Sequence, residues 1–124
     1  MNLKIISFSF KQEKVNEHNL IEIREYITPE GTSPFGEWLL NRRDRKAKAK
    51  VLTRLDRVAA GNFGDHKYLR EGVYELRLTY GKGIRIYYGK EEDTIILLLL
   101  GGDKSTQNRD VKKAIEYWHE HTGE

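Results

Sequence analysis

Four side chains able to handle a phosphate group alternate along two neighbouring stretches of the sequence. Arginine offers planar paired donors that fit phosphate oxygens, and a carboxylate or phenol beside it can take part in proton transfer. The stretches are predicted strands at 73–80 and 84–88, with an apolar residue at every second position. Because side chains alternate between the two faces of a sheet, the polar residues are predicted to share one open face. They are Glu75, Arg77, Arg85 and Tyr87.

The loop between these strands sets their predicted register. A three-residue loop, Gly81-Lys82-Gly83, keeps the leucines of the first strand on the same face as the isoleucines of the second. The expected opposite pairs are Arg77 with Tyr87 and Thr79 with Arg85. An ordinary cross-strand ion pair between the carboxylate and an arginine is the alternative to a functional site.

Positive charge is concentrated in one segment of the chain. The 124 residues carry a net charge of +3, yet residues 37–57 alone hold 8 basic and 3 acidic side chains, a net +5. Apolar residues recur every three or four positions there and predict a helix from about 44 to 60. A basic stripe on another face of that helix can meet a polyanion such as RNA, or can simply be solvated. The stripe consists of Lys46, Lys50, Arg54 and Arg57.

Composition excludes several classes of protein. The chain has no cysteine, which rules out disulfides, thiolate zinc sites and a cysteine nucleophile. Its four histidines lack ligand spacing, and its length leaves no room for a cofactor domain, so neither a metal nor a cofactor is expected. The longest apolar run, 95–100, is far shorter than the roughly 20 residues of a membrane span. It is predicted to form a central strand at 94–100 that is buried on both faces and ends at Gly101-Gly102. Without a secretory signal pattern, the cytoplasm is the expected location.

The predicted elements follow the order β-α-α-β-β-β-α. A strand at 20–27 precedes a helix from about 35 to 42 that is capped by Ser33, and a last helix starts near 105. The inward face of the last helix is predicted from its apolar spacing to consist of Val111, Ala114, Ile115 and Trp118. The order predicts an α+β fold with an antiparallel or mixed sheet of about four strands. Two N-terminal helices are expected on one face, with a C-terminal helix, leaving the other face free. Residues 20–124 form one predicted domain after an extension at 1–19, either an extra strand or a flexible segment.

Four blocks of the sequence form a specific combination, although each block alone is weak. They are Gly61–Lys67, Gly72–Arg77, Tyr80–Tyr88 and Leu98–Gln107. Together they resemble the addiction-module killer proteins, a HigB-like branch of the RelE/ParE toxins of type II toxin–antitoxin systems. The likeness extends over roughly residues 20–118.

This resemblance implies a RelE/ParE-like fold and a toxin that a cognate antitoxin neutralises, commonly a helix-turn-helix DNA-binding protein, in a hetero-oligomeric complex. For many members it implies an endoribonuclease (mRNA interferase) that cleaves mRNA on the ribosome and inhibits translation. The residues that match the basic site of such nucleases are Lys67, Arg77, Arg85 and Lys104, with Tyr87 as a polar partner.

RNA cleavage by these groups needs no metal if a 2′-OH attacks its own phosphate. The site must accept the 2′-OH proton, stabilise charge on the phosphorane and protonate the leaving 5′-oxygen. The two arginines are expected to stabilise that charge, and Lys67 or Lys104 to carry the proton. Tyr87 or Glu75 is the alternative base. The basic stripe is expected to contact ribosomal RNA.

Two other functions stay open from the sequence. A fold does not fix a function, and a ParE-like toxin of the same fold poisons DNA gyrase without cutting RNA. Such a gyrase toxin does not require the arginine–lysine cluster, which a nuclease does. The third reading is a nucleic-acid-binding module without toxicity.

Overall fold

The computed structural model describes residues 20–124, and the predictions for the extension at 1–19 lie outside this part of the chain. The strands are β1 (Glu22–Glu25), β2 (His66–Arg70), β3 (Val73–Leu78), β4 (Ile84–Glu91) and β5 (Ile95–Asp103), and the helices are α1 (Pro34–Leu40), α2 (Arg45–Ala59) and α3 (Gln107–Thr122). One α+β unit results, with a mixed sheet in the order β1-β5-β4-β3-β2, in which only β1 and β5 are parallel. None of the helices in 20–124 is long and apolar enough to cross a membrane.

The sheet has five strands where the sequence predicted about four. The short strand that the sequence predicts at 67–70 is β2, which pairs with β3 along most of its length and forms one edge of the sheet. β1 forms the other edge, beside the apolar β5. The prediction that β5 is a central strand buried on both faces is confirmed, because Ile96 and Leu98 pack on one side and Leu97 and Leu99 on the other.

The two N-terminal helices pack on one face of the sheet, as predicted. Ser33 caps α1 by accepting a hydrogen bond from the Gly36 amide at 2.9 Å, and Asp44 caps α2 by accepting from Lys46 and Ala47 at 2.9 and 3.1 Å. The apolar stripe of α2 meets the leucines and isoleucines of β3 and β4 in one core. Its fully buried members include Phe35, Val51, Leu55, Leu76 and Ile86.

The other face of the sheet is not free, and this prediction is wrong. α3 packs there on a second core that contains Tyr87, Leu99 and Ala114, each 0% exposed. The helix comes so close that a Cβ atom on Gly89 would lie 2.3 Å from the Trp118 ring. The apolar side of α3 was predicted from its spacing, but the sheet face that it covers was assigned wrongly.

The register of the β3–β4 hairpin differs from the predicted one by two residues. Arg77 lies opposite Arg85, and Glu75 lies opposite Tyr87. β3 ends at Leu78 and β4 begins at Ile84, so the loop has five residues instead of three. Within it, the Tyr80 hydroxyl donates to Asp44 at the start of α2 at 2.9 Å. A shift of two residues returns every side chain to the same face, so the predicted faces are correct although the predicted pairs are wrong.

Candidate functional site

Four of the predicted cations lie close together towards one end of the sheet. Arg77 on β3 and Arg85 on β4 are directly opposite each other, and Lys67 lies on the neighbouring strand β2. Lys104 follows β5, where a Cβ atom built on Gly83 would lie 3.2 Å from Nη1 of Arg85 and 3.6 Å from Cβ of Lys104. The fold thus brings these four residues, here called the cationic row, together from four separate segments.

The carboxylate of Glu75 lies within the cationic row and is buried, with 1% of the residue exposed. Nε of Arg77 is 3.8 Å from its Oε2, and Nε of Arg85 is 3.8 Å from its Oε1. Gln107, at the start of α3, donates from Nε2 to Oε1 at 2.8 Å, and Lys67 is the opposite residue on β2. One buried anion therefore bridges two arginines that would otherwise repel each other.

Arg77 has a second carboxylate partner, Asp65, in the loop before β2. Nε and Nη2 of Arg77 donate to Oδ1 of Asp65 at 3.2 and 3.0 Å. The Asp65 carbonyl accepts from the Arg77 amide at 2.9 Å and, at 3.5 Å, from Nη1 of Arg54 on α2. Asp65 therefore connects the cationic row with the basic helix.

Tyr87 lies on the predicted face, but α3 covers it completely. It is 0% exposed, and its hydroxyl has no hydrogen-bond partner within residues 20–124. Burial, together with the carboxylates of Glu75 and Asp110, raises the pKa of Tyr87, because an ionised phenol would be poorly hydrated there. The expectation that Glu75 and Tyr87 lie on an open surface is therefore wrong, and neither is placed to take a proton from RNA.

Three residues of the basic stripe line a groove of about 280 Å³ between α2 and the β3–β4 hairpin. They are Lys50, Arg54 and Arg57, and Nζ of Lys50 lies 5.4 Å from the centre of the Tyr80 ring. Partial burial lowers the pKa of Arg54, and the neighbouring Arg57 acts in the same direction, against the opposite effect of Asp65. Lys46, one turn nearer the start of the helix, does not line this groove.

A second groove, of about 490 Å³, was not predicted. It lies between β2 and the first half of α3, beside the cationic row. Its cations are Lys67, Arg70 and Lys112, and none of them forms an ion pair with another described residue. Sequence reasoning missed Arg70, Lys112 and Gln107, because only the packing of α3 beside β2 brings them to the row. The sequence offered one indication of this groove: Asn108 and Lys112, which both line it, are four residues apart in the predicted last helix and therefore share one face of that helix.

The histidines of the described part make local contacts. His66 lies with Nδ1 2.9 Å from the Gly64 carbonyl and beside the Phe63 ring. His119 and His121 on α3 pair with glutamates at 3.4 and 2.5 Å. Within residues 20–124, no group of three or more histidine, aspartate or glutamate side chains is arranged to hold a metal ion.

Comparison with known proteins identifies the family of this chain. The model of the family described as phage derived protein Gp49-like (DUF891) matches residues 38–117, which are 80 of the 124 residues. A protein of Haemophilus influenzae with the description "Uncharacterized protein" is 43% identical over 83 residues, covering 67% of this chain and 84% of that relative. The family match includes the cationic row and the basic stripe. Gp49-like proteins are RelE/HigB-like toxins of toxin–antitoxin systems, which supports a toxin role. The chain therefore belongs to the phage-derived Gp49-like family.

Proposed function

We propose that the protein is the toxin of a type II toxin–antitoxin module and a ribosome-dependent endoribonuclease that cuts mRNA. The observation that carries this proposal is the pair Arg77 and Arg85, which lie directly opposite each other. Lys67 lies opposite the adjacent Glu75, and Lys104 lies beside the turn that leads to Arg85. Two adjacent guanidinium groups at a sheet end present several donors to one phosphate group. A toxin that only binds another protein has no need of such a pair.

The proposed reaction is an internal transfer at one phosphate of the RNA. The 2′-oxygen attacks the adjacent phosphorus, the bond from phosphorus to the 5′-oxygen breaks, and a 2′,3′-cyclic phosphate and a 5′-hydroxyl are formed. Arg77 and Arg85 stabilise the negative charge that grows on the phosphorane oxygens. Lys67 and Lys104 are the proton carriers of the row, one accepting the 2′-OH proton and the other donating to the 5′-oxygen.

The groove beside α2 supplies the proposed contact with ribosomal RNA. Lys50, Arg54 and Arg57 line it, and phosphate contacts by such cations hold RNA largely without regard to sequence. Asp65 joins this groove to the cationic row, so an RNA-rich surface bound along α2 would lie next to the reacting phosphate. A cognate antitoxin, of the helix-turn-helix type that the resemblance implies, is the proposed neutralising partner.

The test is to induce the protein in cells and to map the 5′ ends of transcripts. Cuts at a fixed phase of the codons, confined to translated mRNA, are expected. Intact mRNA together with an induced DNA-damage response would overturn the proposal in favour of gyrase poisoning. Intact mRNA without growth arrest would leave a non-toxic binding module.

Substitution of the paired arginines is expected to abolish toxicity. Loss of one donor to a developing oxyanion typically lowers the rate about 100- to 1,000-fold, so Arg85→Ala and Arg77→Ala should each permit growth after induction. The matched control is Arg24→Ala, which removes an arginine from β1 at the opposite edge of the sheet, where Arg24 pairs with Glu22 at 2.8 Å. Growth arrest that persists in both site variants while they stay folded would show that the row is not the site.

A further inference from the structure

Glu75 is placed to hold arginines and not to react with RNA. Its two oxygens each face one guanidinium Nε at 3.8 Å, and Oε1 also accepts from Gln107 at 2.8 Å. A general base must come within roughly 2.6–3.2 Å of the group whose proton it takes. With 1% of the residue exposed, Glu75 has no such access, so its earlier interpretation as an alternative base does not fit the geometry.

The surroundings of Glu75 show what its charge does. Arg77 and Arg85 lie opposite each other, and like charges in that relation destabilise a sheet. Glu75 lies two residues from Arg77 on the same strand, and therefore diagonally across from Arg85. Glu75 faces the Nε edge of each guanidinium, while Nη2 of Arg77 donates to Asp65 and Nη1 of Arg85 donates to the Ile84 carbonyl at 3.4 Å. Within residues 20–124, Nη1 of Arg77 and Nη2 of Arg85 stay available for another anion.

The two arginines do not depend on Glu75 equally. Arg77 also donates two hydrogen bonds to Asp65, whose side chain is 51% exposed. Arg85 is 12% exposed, its Nε has no hydrogen bond, and within residues 20–124 Glu75 is its only carboxylate partner. Loss of the Glu75 charge should therefore displace Arg85 more than Arg77.

We propose that Glu75, oriented by Gln107, is a positioning residue that fixes the Arg85 guanidinium for contact with the scissile phosphate. The proposal rests on the RNA cleavage proposed above for the cationic row. It assigns to α3 a part in the site, since Gln107 is the first residue of that helix.

The first test compares Glu75→Gln with wild type in steady-state cleavage of mRNA on translating ribosomes at several ribosome concentrations. The variant keeps the shape of the side chain but not its charge. Misplacement of a reacting group by about 1 Å costs on the order of 100-fold, so kcat should fall about 10- to 100-fold while KM changes less than about threefold. Glu22→Gln is the matched control and should change kcat less than about threefold, because Glu22 pairs with Arg24 on β1, at the opposite edge of the sheet. An unchanged kcat in Glu75→Gln would overturn the proposal.

A double-mutant cycle tests the pairing itself. If Glu75 acts through Arg85, then Glu75→Gln should add less than about threefold to the loss in an Arg85→Ala background, but should keep most of its effect in an Arg77→Ala background. Full additivity with Arg85→Ala would contradict the proposed role. Where Glu75→Gln does not fold, Gln107→Ala takes its place, with an expected loss of about 3- to 10-fold that also disappears in the Arg85→Ala background.

A spectroscopic readout separates this proposal from the proposed function. In the full-length protein, the Nε–H proton of Arg85 should exchange slowly with water by nuclear magnetic resonance, and exchange at least tenfold faster in Glu75→Gln, while the signal of Arg24 stays unchanged. Unchanged exchange at Arg85 would overturn the positioning role even if RNA is cut. If the wild type cuts no RNA but the exchange of the Arg85 Nε–H proton is faster in Glu75→Gln, the proposed function is wrong, whereas the positioning of Arg85 by Glu75 is supported.

Discussion

At the scale of single residues, two buried glutamates differ in what surrounds them. Glu75 faces two guanidinium groups and an amide, whereas Glu25 on β1, 3% exposed, accepts one hydrogen bond, from the Ser33 hydroxyl. Oε2 of Glu25 has no hydrogen-bond partner within the described residues. Burial raises the pKa of Glu25 to about 7, against the opposing effect of the Ser33 hydrogen bond. The fold therefore favours the protonated form of this side chain.

Glu25→Gln should remove part of the pH dependence of stability. The ordinary pKa is 4.5, so between pH 4.5 and about 7 the folded protein holds a proton that the unfolded chain releases. The stabilisation from this proton is complete below pH 4.5 and is lost as pH rises through 7. A difference of about 2.5 pH units between the two pKa values is equivalent to at most about 3 kcal/mol. Urea unfolding at pH 5 and pH 8 measures it.

Wild type is expected to lose more stability between these two pH values than the Glu25→Gln variant. The control is Glu22→Gln, an exposed change on the same strand, which should leave the pH dependence as in wild type. Equal pH dependence in wild type and Glu25→Gln would show that Glu25 ionises normally in the folded protein.

At the scale of elements, glycines let helices approach the sheet from both sides. The sequence gives a Gly-Gly pair after an apolar run, and this pair was predicted to end the strand. Instead β5 continues to Asp103, and a Cβ atom on Gly101 would lie 2.2 Å from the Trp38 ring of α1. On the other face, a Cβ atom on Gly102 would lie 2.0 Å from Oδ2 of Asp110 on α3. The pair serves close packing of two helices on one strand.

Gly101→Ala should destabilise the protein by about 1–3 kcal/mol, because an added methyl group would overpack the contact between β5 and α1. Gly81→Ala is the control, because it replaces a glycine without overpacking. Nothing lies within 4 Å of the Cβ position of Gly81, so its positive φ of 56° is the only source of strain in that variant. Thermal unfolding compares the two.

The same overpacking should be relieved by a smaller partner. In a Trp38→Leu background, Gly101→Ala is expected to cost less than in wild type. An undiminished cost in that background would place the strain elsewhere than at the Trp38 ring.

At the scale of the whole molecule, the net charge of +3 is small, yet the protein has two cationic surfaces, which meet at the loop that contains Asp65. The cationic row lies at the sheet end, and Lys50, Arg54 and Arg57 line the groove beside α2. Asp65 contacts both, through the side chain of Arg77 and the side chain of Arg54. A polyanion could therefore follow one continuous path from the helix to the sheet.

Arg54→Gln should weaken binding of single-stranded RNA and reduce its dependence on salt. Each phosphate contact with a single strand contributes about 0.7 to the slope of log K against log salt, so the slope should become shallower by about that amount. Lys48→Gln removes the same charge from the same helix but from outside the groove, and should leave the slope unchanged. Fluorescence titration at several salt concentrations measures both, and equal slopes in wild type and Arg54→Gln would exclude the groove as a phosphate contact.

Sequence patterns predicted the features that depend on neighbours along the chain. The Ser33 cap, the apolar stripe of α2 and the buried character of β5 were all correct, because period and capping chemistry are local. The four cations of the row were named from the sequence with the help of the family resemblance, and the fold brings them together. These four side chains could be identified without knowing how the helices and strands pack.

What the sequence by itself determined is which side chains share a face, since alternation in a strand has a period of two residues and survives a shift of two. Only the tertiary structure decided what covers that face. α3 folds back over Tyr87 and Glu75, and its Gln107 donates a hydrogen bond to Glu75 from 32 residues away along the chain. Contacts of that range depend on how whole elements pack against one another. For this reason Glu75 changed from an alternative base into a buried anion that holds Arg85.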